Sequence, residues 1–181
     1  MCEYILDIVQ NSVEAKASVI TLDLLESDDT IRICIGDNGC GMDEATLGRV
    51  TDPFFSDGKK HAHRKVGLGI PFAKQAADAA DGEFDISSDP EMGTSVSFSF
   101  NKTHVDCPPL GDLPGTFTSV MLFEGQYDLL VYRSNKDASY RVSRGELEES
   151  LGDLYDTRSM MLMKQFFLSQ EDEVLSGGNN G

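Results

Sequence analysis

Oxygen-bearing side chains recur along one side of the first predicted helix. Asp7 and Asn11 lie four residues apart, and Glu3 and Glu14 fall on the same side, opposite the apolar positions of the helix. Carboxylate and amide oxygens are the ligands that Mg²⁺ takes from proteins. The spacing therefore allows a magnesium site on this face. The alternative is a solvated face without a ligand, which is the commoner outcome for such a pattern.

A glycine-containing turn, residues 37–42, follows a predicted buried strand. Its Asp37 can accept a hydrogen bond from an exocyclic amine such as that of adenine. Gly39 and Gly41 would let the backbone approach a flat ring, and Met42 offers that ring a soft apolar surface. The turn is consistent with a nucleobase site. An ordinary hairpin turn is the alternative, because Asp-x-Gly-x-Gly is by itself only a moderately specific pattern.

Two anion-binding signals adjoin in the middle of the chain. Residues 57–65 carry four of the 15 Lys and Arg side chains and a single acid. They run into Gly67, Leu68 and Gly69, which open a predicted helix whose free amides and dipole favour phosphate. The basic stretch alone is more typical of a solvated loop. Because the two signals adjoin, together they favour a phosphate site.

The four signals occur in the order typical of the GHKL ATPase superfamily, which includes gyrase, histidine kinases and mismatch-repair ATPases. Residues 5–15 resemble its N box, and residues 37–42 resemble its first glycine box. The remaining matches are residues 52–55 before the ATP lid, residues 66–70 as the second glycine box, and Gly93-Thr94 as the closing motif. Each motif alone is only modestly specific for this superfamily, but the full set over residues 1–101 is specific.

The resemblance implies that the chain binds ATP together with Mg²⁺. Asn11 would hold Mg²⁺, and Asp37 would bind the adenine amine. The other nucleotide-binding positions that it implies are Gly39, Gly41 and Met42 beside the base, Gly67, Leu68 and Gly69 at the phosphates, Lys65 in a basic lid, and Thr94, whose hydroxyl would help to hold adenine. The lid, residues 56–66, is expected to be mobile until nucleotide binds.

Asp7 occupies the position at which hydrolytic relatives carry Glu and histidine kinases typically carry Asn. The resemblance therefore makes Asp7 the candidate catalytic base, with a side chain one methylene shorter than that of Glu. We expect slow hydrolysis at most, because a base must reach the attacking water. The likeness begins at the start of the chain, so we expect no preceding phosphoacceptor helix of the sensor-kinase type.

Three functions remain open at this point. The chain could be a nucleotide-dependent switch in which ATP orders the basic lid and a partner binds that state, with slow or absent hydrolysis. It could be a kinase that phosphorylates His or Ser of a separate partner. It could also bind nucleotide and a partner without chemistry. The sequence favours the switch, and it leaves open whether the chain is an enzyme.

Composition excludes several classes of partner. The chain of 181 residues has 31 acidic and 15 Lys and Arg side chains, a formal net charge of −16. Such a surface does not attract nucleic acid or an anionic membrane. No apolar run is long enough to cross a bilayer, and the four cysteines show no Cys-x-x-Cys pairing. We therefore expect a cytoplasmic protein with reduced thiols.

The pattern of elements predicts an α/β fold, a two-layer α/β sandwich of the Bergerat type, with a small α+β extension at the C-terminus. Helix periodicity covers residues 2–16, and alternating apolar residues predict strands over 19–25, 30–36, 83–88 and 94–100. A short helix over 43–50 and a longer one ending near Asp81 complete the core. We divide the chain into an ATP-binding domain, residues 1–104, and an extension, residues 105–181.

The extension offers an apolar helical stretch that includes Met160–Met163 and Phe166–Leu168. Adaptable methionines favour a contact surface for a partner or a second copy, and packing against the ATP-binding core is the alternative. The extension begins with Pro108-Pro109-Leu110-Gly111-Asp112. This pattern is similar to one in small stand-alone GHKL proteins of anaerobic bacteria, often encoded near iron-hydrogenase components.

Overall fold

The elements of the computed structural model follow the predicted order. The structure describes residues 1–52 and 68–177. Within these ranges it contains helices α1 (Cys2–Glu14), α2 (Glu44–Leu47), α3 (Gly69–Ala79), α4 (Leu113–Met121), α5 (Arg144–Leu151) and α6 (Thr157–Gly177), and strands β1 (Val19–Glu26), β2 (Thr30–Asp37), β3 (Phe84–Asp89), β4 (Gly93–Asn101), β5 (Asp128–Ser134) and β6 (Ser139–Ser143). Among the residues described, no helix is both long and apolar enough to span a membrane.

The six strands form one mixed sheet in the order β3-β4-β2-β1-β5-β6. Only β1 and β5 run parallel, and all other neighbours are antiparallel. Along β1 the side chains alternate between buried Ile20, Leu22 and Leu24 and half-buried residues that point to the opposite face. This period of two places one face of the sheet against the helices. The predicted α/β architecture is therefore confirmed.

Helix α1 positions the first set of candidate site residues. Its buried side includes Ile5, Val9 and Val13, as the periodicity predicts, and it packs on α3. The helix ends at Glu14, two residues earlier than predicted. Lys16 has a φ of 62°, which cannot continue a right-handed helix.

The extension contributes helix α4 and a longer α6 than the sequence predicts. The stretch that begins at Thr116 fits either helix or strand in sequence, and in the structure it belongs to helix α4. The side chain of Asp112 caps this helix by accepting from the Gly115 amide at 3.0 Å. The sequence predicts a helix over residues 157–168 and disorder over residues 176–181. Helix α6 instead continues to Gly177, so the predicted helix end is wrong, and the predicted disorder is wrong for Ser176 and Gly177. Residues 178–181 lie outside the described residues.

The residues after 104 continue the sheet that the strands of residues 1–104 form. Strand β5 lies beside β1, and the rings of Phe117 on α4 and Phe167 on α6 pack 5.5 Å apart between their centroids. Met163 and Phe167 are fully buried in the same hydrophobic core as Ile5 and Leu22, as the packing alternative predicts. The division into domains at residue 104 stays a prediction.

A buried ion network joins the extension to β1. Arg133 on β5, only 1% exposed, donates to Glu26 Oε2 at 2.6 Å and to Glu171 Oε2 at 3.4 Å. Tyr140 donates to the other oxygen of Glu171 at 2.7 Å, and burial together with this bond raises the pKa of Tyr140 above its ordinary range. Lys102 closes the network on Glu26 Oε1 at 2.7 Å. Each buried charge therefore has a partner, as burial requires.

The network gives a pH-dependent contribution to stability. Burial alone would raise the pKa of Glu26, but the hydrogen bonds from Lys102 and Arg133 outweigh it and hold that pKa below its ordinary value. A carboxyl with a lowered folded-state pKa stabilises the fold above its unfolded-state pKa, and the contribution is lost as the pH falls through the folded-state value. Glu26→Gln should therefore lower the free energy of unfolding at neutral pH. The deficit should shrink below about pH 4.

Urea unfolding of the parent and the Glu26→Gln variant, at about pH 7 and about pH 3, measures this difference. Glu83→Gln is the matched control, because Glu83 pairs with Arg32 on the exposed surface at 2.7 Å and should change stability little at either pH. A deficit for Glu26→Gln that is the same at both pH values would contradict the assignment.

Candidate functional site

Asp37 is held at the end of β2 by two hydrogen bonds. Its Oδ2 accepts from Ser12 Oγ at 2.7 Å, and its Oδ1 accepts from the Gly39 amide at 2.8 Å. Ser12 lies on α1 and is only 3% exposed, so the carboxylate is anchored from the buried side. An ionised carboxylate oxygen carries two lone pairs, so each oxygen keeps one for a ligand. Asp37 is therefore an oriented hydrogen-bond acceptor.

Thr94 lies directly opposite Asp37 on the neighbouring strand β4. Its hydroxyl is 2.9 Å from Ser88 Oγ, which also accepts from the Met42 amide at 2.8 Å and donates to the Gly93 carbonyl at 2.9 Å. Because the single proton of Ser88 goes to the carbonyl, Thr94 is the donor in their contact. The lone pairs of Thr94 Oγ1 then remain available. The sheet register thus brings together two acceptors, from Asp37 and Thr94.

Two glycines close the turn against the β3–β4 hairpin. Gly41 has a φ of 62°, and a Cβ there would lie 1.9 Å from the Asp89 carbonyl oxygen. Gly93 has a φ of 104°, and a Cβ there would lie 1.9 Å from the carbonyl oxygen of Asp37. Both positions therefore require glycine. The atoms in the way belong to the protein backbone, so the approach of a ring to Gly39 and Gly41 stays a prediction.

Asp7 contacts the start of α3. Its Oδ2 accepts from the Gly69 amide at 2.7 Å, and a Cβ on Gly69 would lie 2.4 Å from that oxygen. The N-cap residue Leu68 makes no side-chain hydrogen bond to the helix, so Asp7 supplies the acceptor from another element. A carboxylate at this end is also favoured by the helix dipole. Asp7 therefore ties the N box to the second glycine box, a contact that the sequence does not predict.

The remaining predicted site residues are distributed as follows. Asn11 lies half-buried one turn after Asp7, and Leu68 is exposed at the start of α3. Lys65, Gly67 and the predicted lid fall outside the described residues. Among residues 1–52 and 68–177, no group of three or more His, Cys, Asp or Glu side chains could hold a metal ion. A resident metal centre built from such side chains is therefore not seen in the described ranges.

Sequence reasoning missed Ser12 and Ser88. Ser12 follows Asn11 and falls on the buried side of α1, between Ile8 and Val13 in the apolar stripe. A polar residue at such a position needs a hydrogen-bond partner, and this requirement is the signal that could have identified it. Ser88 carries no comparable signal, because it lies at the end of an edge strand where polar residues are ordinary.

A family profile described as "Histidine kinase-, DNA gyrase B-, and HSP90-like ATPase" matches residues 1–104. The chain belongs to this family. Its first 104 residues are thus a histidine-kinase-like ATP-binding domain, and the GHKL resemblance is confirmed. The likeness to stand-alone proteins of anaerobic bacteria stays a prediction.

Similar curated proteins of this ATPase family are sensor proteins. A "Putative sensor protein" of Shewanella frigidimarina is 31% identical over 101 residues, which are 54% of this chain and 15% of the relative. Sensor histidine kinase YxdK of Bacillus subtilis is 30% identical over 97 residues, which are 51% of this chain and 30% of the relative. The chain therefore spans less than a third of either relative.

A solved structure resembles the chain in fold. The N-terminal domain of a DNA repair protein superposes with a TM-score of 0.54 at 13% identity. The match covers 83% of this chain and 56% of that one. It therefore reaches beyond residue 104, into the region that contributes β5 and β6 to the sheet. At this identity the likeness concerns the fold alone.

Proposed function

We propose that the chain binds ATP with Mg²⁺ at the ends of β2 and β4 and acts as a nucleotide-dependent switch that hydrolyses ATP slowly at most. The observation that carries this proposal is Asp37, which Ser12 and the Gly39 amide hold in place opposite Thr94. An exocyclic amine has two N–H donors, and the site offers two oriented acceptors. A nucleobase with a carbonyl oxygen in place of that amine would place an acceptor against two acceptors and would be disfavoured.

The described residues fit a magnesium ion that arrives with the nucleotide. Mg²⁺ usually keeps several waters and takes one or two protein ligands together with phosphate oxygens. Asn11, half-buried on α1, is the side chain that would hold it, since Asp7 is bonded to Gly69. The ion would offset phosphate charge near a protein of net charge −16. Lys65 and its basic neighbours in the lid would also offset the phosphate charge.

Slow hydrolysis follows from the position of Asp7. A general base must lie within hydrogen-bond reach of the attacking water. In the structure the Oδ2 of Asp7 is occupied by the Gly69 amide at 2.7 Å, and the side chain is shorter than Glu by one methylene. Displacement of the base by about 1 Å can cost on the order of 100-fold in rate. The carboxylate is thus well placed to cap the start of α3 and poorly placed to remove a proton from water.

Asp7→Asn separates these two roles. Asn keeps a side-chain oxygen that can accept from the Gly69 amide, but it cannot remove a proton. We expect ATP affinity within about threefold of the parent and loss of the remaining hydrolysis. Asp7→Ala, which removes the acceptor as well, should also weaken ATP binding, because the start of α3 loses its cap at a cost of roughly 1 kcal/mol.

Calorimetry gives the affinities, and phosphate release gives the hydrolysis rates of the parent and both variants. Hydrolysis by Asp7→Asn at the parental rate would show that Asp7 is only the cap of α3. Asp7→Glu tests whether the length of the side chain at position 7 limits the rate of hydrolysis. It should raise the rate if reach alone is limiting, and it should leave the rate unchanged or lower if the tight contact with Gly69 prevents the longer side chain from fitting.

A kinase acting in trans is the second candidate, and the sensor proteins among the relatives favour it. Incubation of the purified chain with γ-labelled ATP and a cell extract distinguishes the candidates. Release of labelled phosphate without labelled protein supports the slow ATPase. A labelled partner supports the kinase, and ATP binding with neither outcome supports a switch without chemistry. Failure to bind ATP would contradict all three.

A further inference from the structure

Helix α6 has two faces of different character. Its buried face consists of Ser159, Met163, Phe167, Glu171 and Val174, which recur every three or four residues and pack on the core. With 21 residues, the helix extends for about 31 Å along the surface. The exposed side is available to another molecule along that length.

Three apolar side chains form a line on the exposed side of the helix. Met161 is 61% exposed, Leu168 is 44% exposed and Leu175 is 66% exposed. They are spaced by seven residues, which is two helical turns, so they lie in a single row along the axis. Large apolar side chains that are exposed in a row indicate a contact surface better than scattered ones do.

The charges beside this row are arranged with opposite signs at its two ends. Lys164 lies one turn before Leu168, and Asp172 lies one turn after it, both exposed. Arg158 adds positive charge near the start of the helix. Within the described ranges, neither Lys164 nor Asp172 forms an ion pair. The row therefore carries a basic half and an acidic half.

We propose that a second copy of this chain covers the row, with the two α6 helices antiparallel and a two-fold axis at Leu168. This arrangement sets Leu168 against its own counterpart and Met161 against Leu175. It also brings Lys164 level with Asp172 of the other copy, twice per dimer. A parallel arrangement would instead place like charges beside each other, so the charges select the antiparallel one.

The apolar row forms a small surface, and its size limits the expected affinity between the two copies. Specific interfaces bury about 800 Å² on each partner, whereas a single helix face with three apolar side chains buries less. We therefore expect reversible association with a dissociation constant in the micromolar range. The proposal does not depend on nucleotide binding, and it can be tested without ATP.

Sedimentation equilibrium of the full chain tests the row directly. Leu168→Glu places two carboxylates against each other at the axis and should weaken association by at least about tenfold. Leu162→Glu is the matched control. Leu162 lies on the same helix and is 40% exposed, but it points about 100° away from Met161, so its replacement should leave association unchanged. A parent chain that stays monomeric, or a Leu168→Glu variant that associates like the parent, would overturn the proposal.

Charge exchange tests the direction of the helices and does not require that Leu168→Glu folds. Lys164→Glu and Asp172→Lys should each weaken association, because each leaves like charges level with each other across the axis. The double variant exchanges both signs and should recover most of the parental association. Single variants without effect, or a double variant that is weaker than both, would rule out the antiparallel arrangement.

Discussion

Asp37→Ala is expected to weaken ATP binding by at least about tenfold while the chain stays folded. The carboxylate is the acceptor that faces the proposed adenine amine, and its loss leaves a buried donor unpaired at a cost of about 1–3 kcal/mol. The Ser12 hydroxyl loses its 2.7 Å bond but keeps the Ile8 carbonyl at 3.3 Å as an acceptor, so the fold should tolerate the change. Isothermal calorimetry with ATP and Mg²⁺ measures the loss.

The same loop offers a matched control for this experiment. Asp43 is exposed, and its carboxylate caps α2 by accepting from the Thr46 amide at 2.7 Å. Asp43→Ala should therefore leave ATP affinity unchanged. Ser12→Ala should give an intermediate loss, since it frees one oxygen of Asp37 without removing the acceptor. Equal affinity of Asp37→Ala and the parent would contradict the adenine assignment.

Truncation after Thr103 is expected to give a chain that does not fold on its own. The cut removes β5, the strand beside β1, and also helices α4 and α6, which contribute to the same hydrophobic core as Leu22 and Leu24. It also removes Arg133, so Glu26 loses the partner that is 2.6 Å away in the buried network. Uncovered apolar strand edges pair between chains, so the product should be insoluble or aggregated.

The control for the truncation ends the chain after Gly177. This chain keeps every described element and should match the parent in solubility, circular dichroism and ATP affinity. A soluble chain of residues 1–103 that binds ATP as the parent does would show that the extension is a separable module, and would support the division at residue 104.

The sequence predicts the order of the elements well. The helical stripe of α1 and the alternation in β1 and β2 are strong local patterns, and the observed bounds differ from the predicted ones by one or two residues. Asp37 and Thr94 are identifiable because each belongs to a motif of the superfamily. Their facing positions then follow from the antiparallel register of β2 and β4.

Contacts between distant parts of the chain are what the sequence does not predict. Asp7 and Gly69 are 62 positions apart, and Ser12 and Asp37 are 25 apart, so no local pattern contains either pair. Asp7 is predicted from its helical face to point towards a metal, yet the folded chain brings the amide of Gly69 to it. The late end of α6 has the same cause, because Glu171 looks like part of a polar tail until Arg133 and Tyr140 are seen to bind it.

The parallel pairing of β1 with β5 also affects the newly synthesised chain. The network partners Glu26 and Arg133 are 107 positions apart, so β1 has one vacant edge long after it leaves the ribosome. Every proposed nucleotide contact, up to Thr94, emerges before β5 does. Ribosome-bound intermediates should therefore carry a complete set of binding residues on an unfinished sheet, and expose an apolar edge that chaperones recognise. ATP binding can stabilise the folded state only after β5 has paired with β1, which happens late in translation.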